Sequence, residues 1–320
     1  MNPDVLASAA RSVQARQRIK AHIYETPLLP SRQIGADMGS RLFFKAENFQ
    51  LTGSFKIRGA SAKISAMAPG RHLVTASSGN HGIGSSQAAR SFERGLTVVL
   101  PETVATAKLA RIRSYGVETL LHGAETWYAE QHALELARDK GYEYISAYDD
   151  PDVVAGQGTI GLELLEQCPD IDNVFIAMGG GGLISGIGSV LKSFLPHARI
   201  YGVAARNSCA LALSMAAGKV VETEHLETLA DGVAGGLAEE TITLDLARAV
   251  VDETIICSEE EIAAALRDLA FKENMLVEGS AGLALAGVAK VAHACRDQVN
   301  VVLLCGANYD RDKLVKAVFG

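Results

Sequence analysis

Short apolar segments alternate with longer helical patterns along almost the whole chain, and this alternation restricts the possible folds more than any other feature. The apolar segments are RLFFKAEN, HLVTAS, LTVVLP, VETLLHG, YEYISAY, NVFIAMG, RIYGVAA and VNVVLLCG. Ala- and Leu-rich segments such as TIGLELLEQ and EEEIAAALRDLAFKEN separate them. Strands that are apolar throughout are typical of parallel sheets covered on both faces. The sequence therefore predicts an α/β fold, with ligand sites at the carboxyl ends of the strands.

Composition and charge narrow the possible functions. A length of 320 residues corresponds to about two domains, and 48% hydrophobic with 21% charged residues is typical of soluble proteins. The net charge of −7 includes no basic block that could neutralise successive phosphates, so we expect no nucleic-acid partner. The first residues lack the apolar run of a secretory signal, and no run of about 18 apolar residues predicts a membrane span. We therefore expect a cytoplasmic protein without a membrane partner.

The cysteines indicate neither disulfides nor a metal site. Their number is odd, their spacing is wide, and no CxxC pair occurs, so free thiols are expected and no zinc site is predicted. They are Cys168, Cys209, Cys257, Cys295 and Cys305.

A run of consecutive glycines follows the apolar segment NVFIAM and precedes the helical pattern LISGIGSVLKSF. Such a run predicts a loop whose amides approach a ligand closely, at a helix N-terminus that favours an anion such as phosphate. A tight strand-to-helix turn is the alternative. Neither a GK[ST] ending nor GxGxxG spacing is present, so the phosphate is not expected to belong to a nucleoside triphosphate or a dinucleotide. The glycines are Gly179, Gly180, Gly181 and Gly182.

The segment SSGNHG, residues 77–82, also follows a predicted strand. Its backbone amides and its serine and asparagine side chains could bind a small carboxylate. Helix capping by Ser77 or Ser78 explains the serines equally well. His81 has no nucleophile nearby in the sequence, so a catalytic triad is not indicated.

Lys56 lies in LTGSFKIRGA, between a phenylalanine and an isoleucine. A lysine in a small apolar pocket has a lowered pKa, and its neutral amine can form a Schiff base. The alternative is a lysine near a helix start whose ammonium reaches solvent. An amine nucleophile, a phosphate loop and a carboxylate loop on one scaffold are together typical of pyridoxal-phosphate enzymes that act on amino acids.

With these motifs the chain resembles the fold-type II pyridoxal-phosphate enzymes, and among them the threonine/serine dehydratase and serine racemase family. The fold of that family is tryptophan synthase β-like, with two three-layer α/β domains and the cofactor between them. The motifs that carry the resemblance are, in chain order, TPLLPS, LFFKAENFQLTGSFKIRGA, ASSGNHG, KLARIRSYG, DDPDVVAGQGTIGLE, MGGGGLISG, LADGVA, SEEEI and LLCGANYD.

The resemblance implies a role for each residue around pyridoxal 5'-phosphate. Lys56 would be the Schiff-base lysine, Phe55 would pack against the cofactor ring, and Asn80 would bond the ring hydroxyl. Cys305 stands where relatives usually have a serine or threonine beside the pyridine nitrogen. A weak thiol donor there would leave that nitrogen unprotonated, which suits elimination better than transamination. The phosphate would be held by the amides of Gly179, Gly180, Gly181, Gly182 and Leu183.

The substrate side of the site follows from the same resemblance. Ser77, Asn80 and His81 would bind the substrate carboxylate, and Ser78 would lie on the ring face opposite Lys56. The implied activity is a dehydratase or ammonia-lyase that converts a threonine-like or serine-like β-hydroxy-α-amino acid to a 2-oxo acid and ammonia. An amino acid racemase that uses Lys56 and Ser78 is the alternative. A binding or regulatory protein that has lost the cofactor is a third hypothesis.

The chain departs from the family at two places. Metal-activated relatives carry acidic residues where this chain has Ala204 and Ala210, so no Mg²⁺ or Ca²⁺ dependence is expected. After LADGVA the racemases have polar residues, whereas this chain has Gly235 and Gly236. With Trp127 falling near the substrate side chain by rough alignment, a bulkier substrate is a further hypothesis, such as phenylserine or an intermediate of hydroxyectoine utilisation. A tryptophan on a helix face is the alternative.

The resemblance also predicts the domain organisation. Residues 1–71 and 150–320 would form the large cofactor-binding domain, and residues 72–149 would form a small inserted domain. A homodimer is expected from the family alone.

Overall fold

The computed structural model describes residues 2–320, and within that range ten strands and thirteen α-helices follow one another. The strands are β1 (Leu28–Pro30), β2 (Arg41–Ala46), β3 (Leu73–Ala76), β4 (Leu96–Leu100), β5 (Glu118–Leu121), β6 (Glu143–Tyr144), β7 (Asn173–Ala177), β8 (Arg199–Ala205), β9 (Glu253–Cys257) and β10 (Val299–Leu304). The helices are α1 (Pro3–Ile19), α2 (Ile34–Met38), α3 (Lys56–Ala66), α4 (Asn80–Ser91), α5 (Thr106–Arg113), α6 (Thr126–Lys140), α7 (Pro151–Gln167), α8 (Gly182–Phe194), α9 (Ala210–Ala217), α10 (Ile242–Val250), α11 (Glu259–Lys272), α12 (Gly279–Lys290) and α13 (Arg311–Phe319). Short 3-10 turns occur at η1 (Glu47–Phe49) and η2 (Asp231–Val233).

The first sheet has the strand order β1-β2-β10-β7-β8-β9. Only β1 is antiparallel to its neighbour. Every residue of β7 and β10 is buried, and helices α8 and α12 pack on these central strands. The continuous apolar segments of the sequence are therefore the strands with least contact to water, as a covered parallel sheet requires.

The second sheet is parallel and has the order β5-β4-β3-β6. Successive residues of its strands face opposite sides, because side chains alternate along a strand. Leu73 and Val98 belong to one apolar cluster, whereas Val74 and Val99 belong to another beneath α6. Both faces of this sheet are thus covered by helices.

The α/β fold predicted from the sequence is confirmed. All eight predicted strands are present, although β6 is limited to Glu143–Tyr144. Strands β1 and β9, the two edge strands of the first sheet, were not predicted from the sequence. The second sheet contains only strands between Leu73 and Tyr144, but the division into domains at residues 72 and 149 stays a prediction.

Among residues 2–320, no helix is both long and apolar enough to cross a membrane. No group of three or more His, Cys, Asp or Glu side chains in that range is arranged to hold a metal ion.

Candidate active site

One pocket brings together the chemistry that the sequence placed on separate loops. It lies at the carboxyl ends of β7 and β10, where the glycine loop and Cys305 follow the strands. The first turns of α3 and α4 complete it. Of the predicted residues, the lining includes Phe55, Lys56, Asn80, Gly179, Gly180, Gly181, Gly182, Leu183 and Cys305.

Lys56 is the first residue of α3, and the backbone fixes its position. The amide of Phe55 donates to the carbonyl of Cys305 at 3.1 Å, which ties the start of α3 to the end of β10. The Nζ atom of Lys56 donates to the carbonyl oxygen of Ala147 at 2.8 Å and lies 5.2 Å from the centre of the Phe55 ring. Burial lowers the pKa of Lys56 to about 8, although Cys305 and Glu278 act to raise it. The amine is therefore available as a nucleophile or a base near neutral pH.

This lowered pKa predicts how Lys56 reacts with a small electrophile. Only the neutral amine attacks, so acetylation of Lys56 by trace acetic anhydride, an electrophile that does not itself ionise, should be half-maximal near pH 8 in the cofactor-free protein. Surface lysines should require about pH 10.4. Peptide mass spectrometry after brief labelling across a pH series measures both. A pH midpoint for Lys56 equal to that of the surface lysines would contradict the burial of its amine.

The glycine loop is shaped so that side chains do not fit. A Cβ atom at Gly179 would lie 2.8 Å from the backbone of Val233, and one at Gly180 would collide with the ring of Tyr148. Gly181 has φ of +87°, in the left-handed region that favours glycine. Helix α8 begins at Gly182, so its first amides have no partner within the helix and point toward the loop. Together these features form a binding site for an anion such as phosphate.

Asn80 is held by a hydrogen-bond network that the sequence analysis did not predict. Its Nδ2 atom donates to both carboxylate oxygens of Glu278, at 2.9 and 3.0 Å. Its Oδ1 atom accepts from Nδ2 of Asn308 at 2.6 Å. The asparagine therefore has a fixed orientation at the wall of the pocket.

Glu278 is the functional candidate that sequence reasoning missed. Its side chain is buried in the pocket wall and also accepts from the backbone amide of Asn308 at 3.1 Å. The thiol of Cys305 donates to it over 3.6 Å. Burial raises the pKa of Glu278, and burial together with Glu278 raises the pKa of Cys305 well above its ordinary value. Cys305 thus stays a thiol, as a weak donor beside the ring would have to be.

Ser280 and Tyr148 also line the pocket and were not predicted. Within residues 2–320, the buried hydroxyl of Ser280 has no hydrogen-bond partner, which leaves it free for a bound ligand. The only sequence feature that could have drawn attention to it is the run EGSAG, where small residues open a helix after an acidic one.

Ser77, Ser78 and His81 lie outside the lining of this pocket. The Ser77 hydroxyl accepts from the amide of Gly79 at 3.2 Å, and Gly79 rather than either serine is the N-cap of α4. Ser78 is half-buried on the same loop. The predicted roles of these residues at a substrate stay predictions.

The His81 ring is buried and faces the second sheet. Its Nε2 atom lies 2.9 Å from the Thr75 hydroxyl and 3.0 Å from the carbonyl of Ile145. Burial and the nearby charge of Lys56 lower its pKa to about 3, so the ring is neutral. A contact of His81 with a substrate carboxylate would therefore have to use the backbone amide at the start of α4.

The residues at which this chain departs from the resembled family differ in their exposure to solvent. Ala204 in β8 and Ala210 at the start of α9 are buried. Trp127 is 60% exposed on the surface of α6, edge-on to Tyr128, and is not among the pocket residues. Gly235 has φ of +130° with open space around it.

Comparison with known proteins adds independent information. The sequence pattern of the family described as "Pyridoxal-phosphate dependent enzyme" matches residues 19–306. Among curated proteins, the chain is 38% identical to "L-threonine dehydratase catabolic TdcB" of Staphylococcus aureus, over 93% of this chain and 88% of that protein.

Solved structures agree with that match. The chain superposes on threonine deaminase isoform 2 from Solanum lycopersicum with a TM-score of 0.94 and 31% identity, covering 99% of this chain and 93% of the other. It superposes on maize serine racemase with a TM-score of 0.90 and 30% identity, covering 97% and 96%.

Proposed function

Because the chain belongs to the pyridoxal-phosphate dependent enzymes, we propose that it is a lyase that converts a β-hydroxy-α-amino acid of the threonine or serine type to a 2-oxo acid and ammonia. The observation that carries this proposal is the placement of the Lys56 amine, with its pKa lowered to about 8, in the same pocket as the glycine loop. The Lys56 amine supplies a base near neutral pH, and the glycine loop supplies a phosphate site.

The residues present fit pyridoxal 5'-phosphate. The loop of Gly179–Gly182 packs so closely against Val233, Tyr148 and Thr243 that no Cβ atom fits, so backbone amides are the groups it can offer a phosphate. The Ser280 hydroxyl, which has no hydrogen-bond partner among residues 2–320, lines the same pocket. Lys56 would join the aldehyde, Phe55 would pack against the ring, and Cys305 would approach the ring nitrogen. When bound, the cofactor supplies an electron sink for negative charge at the substrate Cα. The phosphate would be held by amides of Gly179, Gly180, Gly181, Gly182 and Leu183.

The chain's own groups then divide the work of the reaction. The neutral Nζ atom of Lys56 would accept the Cα proton, because its pKa lies near the working pH. Asn80, held rigidly by Glu278, would keep its orientation without a cost in side-chain entropy. Ser77, Asn80 and His81 would bind the substrate carboxylate, and Ser78 would donate or accept a proton on the face opposite Lys56.

The test of this function is a panel of L- and D-3-hydroxy amino acids with 2-oxo acid and ammonia measured for each. Equal amounts of the two products from at least one member support the proposal. Phenylserine and hydroxyectoine-derived intermediates belong in the panel, since Gly235 and Gly236 stand where the racemases have polar residues. Purified protein that shows no visible cofactor absorbance, even after addition of pyridoxal phosphate, would favour the binding or regulatory hypothesis instead.

An amino acid racemase is the second candidate, and the superposition on maize serine racemase favours it. Racemisation requires a proton to reach Cα from the face opposite Lys56, where Ser78 is proposed to act. A chiral assay separates the two activities. Formation of the other enantiomer faster than formation of 2-oxo acid would make racemisation the main reaction.

We expect activity without a divalent cation. Ala204 and Ala210 offer methyl groups where a hard cation would need oxygen ligands. Enzyme treated with a chelator and then dialysed should keep its rate of 2-oxo acid formation within assay error, and Mg²⁺ or Ca²⁺ should not raise it. A clear rise on adding either ion would contradict this expectation.

We further propose a homodimer in the cytoplasm, on the basis of the family resemblance. Light scattering of the holoenzyme measures the mass directly, and a monomer at micromolar concentration would overturn the dimer.

A further inference from the structure

Residues 234–241 run from the pocket wall to α10 without forming a helix or strand. The segment follows η2, whose Gly232 and Val233 line the pocket, and it precedes α10. Most of its residues are exposed, so burial of apolar side chains contributes little to holding it in place.

Polar contacts to other elements fix this segment instead. At one end the Gly235 amide donates to the hydroxyl of Ser208 at 3.1 Å. At the other end the Thr241 hydroxyl donates to Asp149 at 2.9 Å. In the middle, the Ala238 amide donates to the hydroxyl oxygen of Tyr148 at 2.8 Å.

Tyr148 connects this segment to the chemical centre. Its ring lies against Gly180 and Gly182 of the glycine loop, where a Cβ atom would collide with it. It follows Ala147, whose carbonyl accepts the hydrogen bond of the Lys56 amine. Tyr148 therefore contacts the glycine loop through its ring and residues 234–241 through its hydroxyl. Its neighbour Ala147 accepts the hydrogen bond of the Lys56 amine.

We propose that Tyr148 is a positioning residue whose hydroxyl holds residues 234–241 over the pocket, so that a phosphate-bearing ligand is retained and water is excluded from the amine. The identity of that ligand rests on the proposed function, but the contact itself does not. A closed segment slows the dissociation of a bound ligand and protects the reacting groups from water.

The first test measures the segment itself by hydrogen–deuterium exchange in the holoenzyme. In Tyr148→Phe the Ala238 amide loses its acceptor, so peptides spanning 234–241 should exchange roughly 2- to 10-fold faster, as expected for loss of one hydrogen bond. Tyr144→Phe is the matched control, because Tyr144 ends β6, four residues before Tyr148. Its hydroxyl donates to Glu130 at 3.0 Å, and neither residue lines the pocket. Exchange that is unchanged in Tyr148→Phe, or raised equally in Tyr144→Phe, would overturn the proposal.

The second test measures the consequence for the ligand. The dissociation constant of pyridoxal phosphate, followed by absorbance, should rise roughly 2- to 10-fold in Tyr148→Phe and stay constant in Tyr144→Phe. With L-threonine as probe, KM should rise more than kcat falls. An unchanged dissociation constant with faster exchange would show that the segment opens without retaining the ligand, and would overturn that part of the proposal.

A second variant opens the same segment without changing Tyr148, so the proposal can be tested even if Tyr148→Phe misfolds. Ser208→Ala removes the hydroxyl that accepts from the Gly235 amide, and that hydroxyl makes no hydrogen bond to the glycine loop. It should raise exchange in the same peptides by a similar factor. If both variants open the segment but no hydroxy amino acid is turned over even by the unaltered enzyme, the proposed lyase function fails while the role of Tyr148 stands.

Discussion

Replacement of Lys56 by alanine should reduce formation of 2-oxo acid by roughly 10³-fold or more. The variant loses the covalent attachment point and the general base together, and a general base alone contributes about 10²- to 10⁴-fold. The fold should persist, because burial lowers the pKa of Lys56 and a charged amine is therefore unfavourable at this position. The thermal midpoint should be unchanged or slightly raised. Product assays and thermal denaturation measure the two effects separately.

Lys63→Ala is the matched control for that experiment. Lys63 lies two turns further along the same helix, pairs with Asp150 at 2.6 Å and keeps 18% of its side chain exposed. It should retain nearly full activity. Borohydride reduction of the holoenzyme followed by peptide mass mapping should place the cofactor mass on Lys56 and on no other lysine. Retained turnover in Lys56→Ala, or a cofactor mass on another residue, would refute the assigned chemistry.

The glycine loop and Lys56 could be proposed from the sequence because the residues that give each its chemistry are neighbours in the chain. Four consecutive glycines after an apolar strand have few explanations, and the structure places them where a side chain would collide with Val233 or Tyr148. Likewise, Lys56 stands between a phenylalanine and an isoleucine, which favours a partly apolar setting for its amine. In both cases the local sequence already contains the physical cause.

Glu278 could not be found in this way. It precedes a helix of small residues, and no charge pattern around it indicates a partner. Its importance depends on β10 lying between β2 and β7 and on Asn308 and Asn80 meeting at that point. These contacts join parts of the chain that are far apart in sequence, so only the folded arrangement reveals them.

His81 illustrates a different limit. The segment SSGNHG suggested that all its polar groups face one ligand, but α4 begins within it at Asn80. Helical geometry then turns the next side chain away from the first, and the His81 ring reaches Thr75 and Ile145 instead of the pocket. Of the side chains predicted from the composition of this loop, only Asn80 lines the pocket, and the direction of each side chain could not be known without the helix boundary.

The largest effect on stability should come from a second residue of α3, Arg58. Its side chain is fully buried and donates to both carboxylate oxygens of Glu47, each at 2.8 Å, and to both of Glu163. Lys45 donates to Glu163 as well. Burial raises the pKa of Glu163, but Arg58 and Lys45 outweigh that effect and the pKa lies below its ordinary value. The network anchors the helix that begins with Lys56 to β2, η1 and α7.

Arg58→Met should lower the free energy of unfolding by about 3 to 5 kcal/mol, because it leaves a buried carboxylate without its partner. Arg138→Met is the control, since the pair of Arg138 with Asp139 is exposed and screened by solvent, and its loss should leave the free energy of unfolding nearly unchanged. Chemical denaturation at pH 7 measures both. Equal stability of Arg58→Met and the unaltered protein would contradict the assigned role.

The pH dependence of this loss distinguishes an unpaired charge from a packing defect. In the unaltered protein the depressed pKa of Glu163 stabilises the fold above the carboxyl's unfolded-state pKa, and that contribution disappears as the pH falls. In Arg58→Met, Glu163 loses one of the two cations that lower its pKa, so burial should raise that pKa and protonation should favour the folded variant at low pH. The difference in stability between the two proteins should therefore narrow from pH 7 toward about pH 5. Glu47→Gln added to Arg58→Met should recover part of the loss at pH 7, because it removes the carboxylate whose salt bridge was with Arg58, whereas Glu163 keeps its salt bridge with Lys45. A cavity or a clash would instead give a loss that neither protonation nor this second change relieves.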